Sequence, residues 1–356
     1  MNKLLLTLGV SALSPLALAK PVVVTSIKPV SMVVAAIAGD RAEIEQIVSN
    51  SASPHDFALR PSDLRKINNA DTVVWVGESL ERFLEKPLEN AGKEDTAIEW
   101  LALEGMNLHN FAEGHEHHHD HDEDHHDHEE HDHHDEHDHD KHHDDHDEHD
   151  HDKHHDDHEG HDHDEHDHEG HDHDEHHEGH EGHDHTGVDP HVWLSPENAK
   201  VLAAAVAQRL SDIDSQNASY YKANLAKFEQ GVAAVDAQVK ASLAKVHDVP
   251  YIVFHDGYSY FEQQYGLNHV GEITVSPERK PGAKKVAELR HMIEENKVQC
   301  VFSEPQFSPA IVKALLDGSK VNTAPLDPLG GKVTLNSDAY YNFLEGMADT
   351  FSSCLR

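Results

Sequence analysis

Pro21-Val22-Val23-Val24-Thr25 is followed by Ile27-Lys28-Pro29 and an apolar run over 30–38 that Gly39-Asp40 ends. A short, continuous β-branched run reads as a buried strand, and the run after Pro29 reads as a helix. Residues 43–48 alternate as a second strand, and Asp71-Thr72-Val73-Val74-Trp75-Val76 forms a third. Between them, Pro61-Ser62-Asp63-Leu64 opens a helix with proline early in its first turn. Residues 83–90 read as helical. Strands alternating with helices predict an α/β fold with a mostly parallel sheet.

A second series of the same kind lies at the other end of the chain. Ser195-Pro196-Glu197 starts an Ala-rich helix over 198–210, with an N-cap serine and proline at the first position. A longer helix spans 218–245. At roughly 28 residues it reaches about 40 Å, enough to cross from one lobe to another. Tyr251-Ile252-Val253-Phe254 opens the second lobe as a strand. Further strands fit 270–275, 299–302 and 321–324, and helices fit 282–296, 309–316 and 338–354.

Between the two series lies a run over 115–185 made almost wholly of His, Asp and Glu. Of its 71 residues, 32 are His and 33 are acidic, and the rest are four glycines and two lysines. With no apolar side chain, the run cannot bury a core and is expected to be disordered without a ligand. Imidazole is the commonest metal ligand. The histidines that begin the run, His115, His117, His118, His119 and His121, typify a chain offering many weak, exchanging sites for a divalent ion, zinc first. The run also accounts for most of the formal charge of -40. What remains is mildly acidic, and no basic patch suggests nucleic acid.

Met1-Asn2-Lys3 precedes an apolar stretch ending in Ala17-Leu18-Ala19. One basic residue, a short apolar segment and an A-x-A site predict a secretory signal peptide over 1–19. The expected organisation is a first α/β lobe over 20–110, the His/Asp/Glu-rich insertion over 111–187, the end of the first lobe over 188–216, a linking helix over 217–246 and a second lobe over 247–356. The chain's two cysteines, Cys300 and Cys354, read first as a disulfide in an exported protein, with a thiolate metal site as the weaker rival.

In open α/β sheets, ligand sites collect past the carboxyl ends of strands. Four polar residues stand at such places or on adjoining loops: His55, His191, His255 and Asp327. Three imidazoles and a carboxylate suit tetrahedral zinc. Singly, each also reads as a turn, loop or strand-end residue, and spacing alone does not bring the four together. Asp56 and Asp256 sit beside two of the histidines as candidate acceptors for their rings, or as solvated surface groups. Glu304 reads as a group that caps or bonds backbone behind the site. His109, His247, His269 and His291 read as surface or packing residues.

Five segments together resemble the zinc-uptake receptors of bacterial ABC importers, a family of metal-binding solute receptors that includes manganese and iron members. They are Ser53-Pro54-His55-Asp56-Phe57 with Leu59-Arg60-Pro61-Ser62-Asp63, Asp189-Pro190-His191-Val192-Trp193-Leu194-Ser195-Pro196, Phe254-His255-Asp256-Gly257-Tyr258-Ser259-Tyr260-Phe261, Phe302-Ser303-Glu304-Pro305-Gln306, and Leu326-Asp327-Pro328-Leu329-Gly330. They occur in family order. The resemblance implies two α/β lobes joined by one rigid long helix, with the metal in the cleft between them. It implies His55, His191 and His255 as ligands, Asp327 as the fourth ligand or a close neighbour, and a Cys300–Cys354 disulfide. Some zinc members carry Glu just before the first ligand His. Here Pro54 stands there, so Asp327 or water is the expected fourth donor.

The function implied is that of a monomeric periplasmic receptor that captures Zn2+ and delivers it to an inner-membrane ABC permease, with the run as a low-affinity collector or sensor. The alternatives are an extracytoplasmic zinc buffer or a manganese or iron receptor, the latter disfavoured by His255 where manganese members tend to carry Glu. Outside the His-rich run there is no H-E-x-x-H, and no nucleophile elbow or cofactor loop is present, so an enzyme is not expected.

Overall fold

The computed structural model describes residues 19–111, 187–274 and 280–356. Residues 1–18 of the expected signal sequence and the whole His-rich run lie outside the described residues. Strand β1 (Val22–Thr25) leads into helix α1 (Lys28–Ala38), which carries Pro29 in its first turn and is buried along nearly its whole length. Then come β2 (Glu43–Gln46), α2 (Pro61–Asn69), β3 (Thr72–Trp75), the short helices α3 (Glu78–Glu81) and α4 (Glu85–Asn90), and β4 (Ile98–Glu99). All pairings are parallel, in the order β2-β1-β3-β4. The alternating β2 sits at the sheet edge, whereas the apolar β1 and β3 are central.

After the insertion, α5 (Pro196–Ile213) starts on its N-cap Ser195, whose side chain accepts from Asn198 N at 3.2 Å. The long helix α6 (Ala218–Leu243) has 26 residues, about 39 Å. It buries Tyr221, Phe228, Val232, Val235, Val239 and Leu243, a single stripe at three-, four- and seven-residue spacing. That stripe packs against α5, α1 and the C-terminal helix.

The second sheet repeats the first. It contains β5 (Tyr251–His255), α7 (Ser259–Tyr265), β6 (His269–Thr274), α8 (Ala283–Glu295), β7 (Cys300–Ser303), α9 (Ala310–Leu315) and β8 (Asn322–Pro325), closed by α10 (Ala339–Cys354). Its parallel strands run β6-β5-β7-β8, the same permutation as before. In each sheet, connections leave the central pair in opposite directions, which opens a crevice at that pair's carboxyl end. The main core extends from β1 and β3 through α5 and α6 to β5, Phe302 and α10. A smaller cluster around Ile252, Phe254, Leu289 and Val301 fills the other face of the second sheet.

Cys300 and Cys354 form a disulfide with Cα atoms 5.8 Å apart, pinning α10 to β7. Two elements go beyond the sequence expectations: β4, only two residues long, and the helix α7, which buries Tyr260, Phe261 and Tyr265. No helix among the described residues is long and apolar enough to cross a membrane.

Candidate metal centre

Three imidazoles reach one point from three separate segments. His55 stands in the loop after β2, its N–H donating to Ser53 Oγ at 3.2 Å. His191 precedes a single 3-10 turn, Val192–Leu194, just before α5. His255 is the last residue of β5. All three are buried, at 7%, 2% and 3% exposure. One ring nitrogen from each lies within 4.8 Å of the others.

Carboxylates fix two of the rings. His191 Nδ1 meets Asp189 Oδ1 at 2.6 Å, and His255 Nδ1 meets Glu304 Oε1 at 2.6 Å. Asp189 is itself held, because its Oδ2 accepts from Ser259 Oγ at 2.5 Å and its Oδ1 from His191 N at 3.0 Å. Glu304 Oε1 also accepts from Tyr258 Oη at 3.1 Å. An Nδ1–H that donates to a carboxylate leaves Nε2 with a free lone pair. The Nε2 atoms of His191 and His255 then face each other at 3.2 Å. Two facing lone pairs repel unless a proton or a metal ion lies between them. The third imidazole is what a metal uses and a shared proton does not. A tetrahedral zinc about 2.0 Å from each nitrogen has an N···N edge of roughly 3.3 Å, close to the observed separation.

Electrostatics obey the same contacts. Burial opposes charge on His255, but the Glu304 carboxylate outweighs it and holds the imidazole above its ordinary pKa. Burial likewise pushes Asp189 up, yet the contacts with His191 and Ser259 bring its carboxyl below the usual range. Between the rings and the loops carrying Gln306, Phe307 and Leu329 lies a cavity of about 10 Å³, the scale of one water or ion rather than an organic substrate.

Asp327 does not join the three imidazoles. Among the described residues, the group that could hold a metal is His55, His191 and His255 alone. Asp327 instead spends both oxygens on its surroundings. Oδ1 accepts from Gln306 Nε2 at 2.8 Å and Leu329 N at 3.1 Å, and Oδ2 accepts from Gly331 N at 2.8 Å. The acceptors behind the rings are Asp189 and Glu304, not Asp56 and Asp256. Asp56 is exposed. Asp256 is half-buried, its carboxyl raised by burial and then by Asp189. Glu304, expected to bond backbone, binds His255. The signal for Asp189 was its place two residues before His191. That for Glu304 was its place at the end of β7, beside β5. His115, His117, His118, His119 and His121 lie outside the described residues.

The edges of the insertion meet beside this centre. Asp189 N donates to His109 O at 2.8 Å and Phe111 N to Gly187 O at 3.1 Å. The His109 ring stacks on Tyr260 with centroids 4.1 Å apart, and its Nδ1 lies 3.3 Å from Ser259 Oγ.

The family model described as zinc-uptake complex component A, periplasmic, matches residues 23–354. The chain belongs to this family. Among curated members, a high-affinity zinc uptake system protein of Haemophilus influenzae is 41% identical, covering 100% of this chain and 99% of its own. Its counterpart in Brucella abortus is 39% identical over 94% of this chain and 91% of its own. The Yersinia pestis counterpart is 34% identical over 96% and 94%. Two solved structures of the zinc-uptake component share the fold. One has a TM-score of 0.64 at 20% identity, covering 94% of this chain and 100% of that one. The other, a deletion mutant described as zinc-bound, has a TM-score of 0.65 at 19% identity, covering 94% and 98%. The family match runs across both sheets and the long helix, so component A of a zinc-uptake complex is this whole two-sheet architecture.

Proposed function

We propose that this chain captures Zn2+ in the periplasm and delivers it to an inner-membrane ABC permease for high-affinity zinc uptake. The observation that carries this reading is the pair of carboxylate-oriented imidazoles whose Nε2 atoms face each other at 3.2 Å, with a third imidazole converging on them. His55, His191 and His255 are the ligands. Three neutral nitrogens with no carboxylate in the set favour zinc over the harder manganese ion. The curated relatives are named for high-affinity zinc uptake, which supports the same cargo here. The His-rich run over 115–185 collects zinc at low affinity or senses its excess. The lobes and linking helix over 217–246 carry the site, and the chain works as a monomer.

Delivery is tested by radioactive zinc uptake into cells whose own receptor gene is replaced by this chain. Uptake at submicromolar zinc should depend on the chain and disappear with the combined His55→Ala, His191→Ala and His255→Ala variant. Uptake that persists in that variant would show that the run alone delivers zinc, and the receptor reading of the cleft would fail.

A further inference from the structure

Beyond the imidazoles and Glu304, the polar side chains lining the cavity are Ser53, which accepts from His55 N, Trp193, which donates to Pro328 O, and Gln306, two residues past Glu304 on the loop that leaves β7. Its Nε2 donates to Asp327 Oδ1 at 2.8 Å. Asp327 is fixed by the backbone N–H groups of Leu329 and Gly331. A carboxylate only accepts, so Gln306 must present its NH2 to Asp327, and its oxygen is turned away. That oxygen is buried and has no hydrogen-bond partner among the described residues. An unsatisfied buried acceptor is destabilising, and here Asp327 enforces it. A donor that arrives with the ligand would satisfy it.

We propose that Gln306 Oε1 serves the fourth coordination position of the bound zinc. It accepts a hydrogen bond from the water that completes the tetrahedron, and Asp327 is the positioning residue that fixes the sense of the amide. The inference rests on the three-imidazole reading above. Three protein nitrogens and one water are a known tetrahedral zinc set. Water on zinc is polarised and donates strongly, so a buried neutral acceptor is the complementary group. An amide-held water adds no negative ligand to the ion. A carrier that must surrender its cargo thus keeps one coordination position open to exchange. Asp327 reaches the zinc through Gln306 rather than by ligation.

The test measures zinc affinity of the full chain by chelator competition and records visible absorption of the chain carrying one Co2+. Gln306→Leu should weaken zinc binding 10- to 100-fold, the usual cost of losing a partner beyond the ligands. It should also alter the cobalt bands and leave metal-free melting unchanged or higher, since a buried acceptor is removed. Asp327→Asn, which no longer dictates the amide's sense, should give a smaller loss in the same direction. Should Gln306→Leu fail to fold, Gln306→Met makes the same chemical change with an unbranched side chain. Unchanged affinity and cobalt bands in the folded Gln306 variant would overturn the assignment. His191→Ala run alongside separates the two levels. If it abolishes tight binding while the Gln306 variant has no effect, the three-imidazole site stands and only this inference falls. If it binds zinc as tightly as the parent, both fall.

Discussion

Gly257 shows how closely the site is cut at the level of single atoms. A Cβ placed there would lie 2.5 Å from His255 Nε2 and 2.8 Å from His191 Nε2, which is closer than real carbon atoms approach. The backbone just past β5 therefore walls the metal position, and only a residue without a side chain leaves both nitrogens open. Gly257→Ala should weaken zinc binding roughly tenfold or more, read by chelator competition. An unchanged affinity would mean that these two nitrogens do not hold the ion. The three histidines were legible in the sequence because imidazoles past strand ends suit a metal. The carboxylates that orient them were not. Asp256 comes directly after His255, and neighbouring side chains along an extended chain point to opposite sides. Asp189 and Glu304 meet the rings through backbone turns and strand order, which only the tertiary fold decides.

The elements that carry these residues repeat one another. At the carboxyl end of the central strands in the second sheet, Glu304 orients His255. At the matching end of the first sheet stands Glu81, fully buried, with Oε2 accepting from Val76 N at 2.7 Å and more weakly from Gly77 N at 3.4 Å. Burial pushes the Glu81 carboxyl up to about 7, against those two backbone donors. The folded state therefore binds this proton more tightly than the unfolded state. Stability from Glu81 is fully present below about pH 4.5 and is lost as pH rises through about 7. Glu81→Gln should leave urea stability at pH 4 nearly unchanged and raise it at pH 8 by about 1–3 kcal/mol. Equal effects at both pH values would show that Glu81 does not carry the buried charge. Strand and helix order was readable from apolar runs broken by Gly and Pro. Helix α7 was not, because its aromatic residues signal burial without specifying backbone.

Across the whole molecule, two sheets of identical strand order are joined through one core by a long helix with a single apolar stripe. The two α/β series and the long helix were readable from strand and helix alternation and the length of 218–245; the strand order within each sheet was not. The convergence of His55, His191 and His255 was legible only through the family resemblance, since spacing alone does not bring the crevices of both halves together. The pairing of His109 and Phe111 with Asp189 and Gly187 brings the two edges of the insertion together beside the metal centre, and among the described residues the site is His55, His191 and His255, none of them from the run. The most direct test is a chelator-competition zinc titration of the full chain and of a form lacking residues 115–185, with manganese in parallel. One tight zinc site per chain in both forms, weaker for manganese and lost on His191→Ala, is the predicted result. Absence of a tight site from the shortened form would mean that the run holds the metal, and would contradict the account.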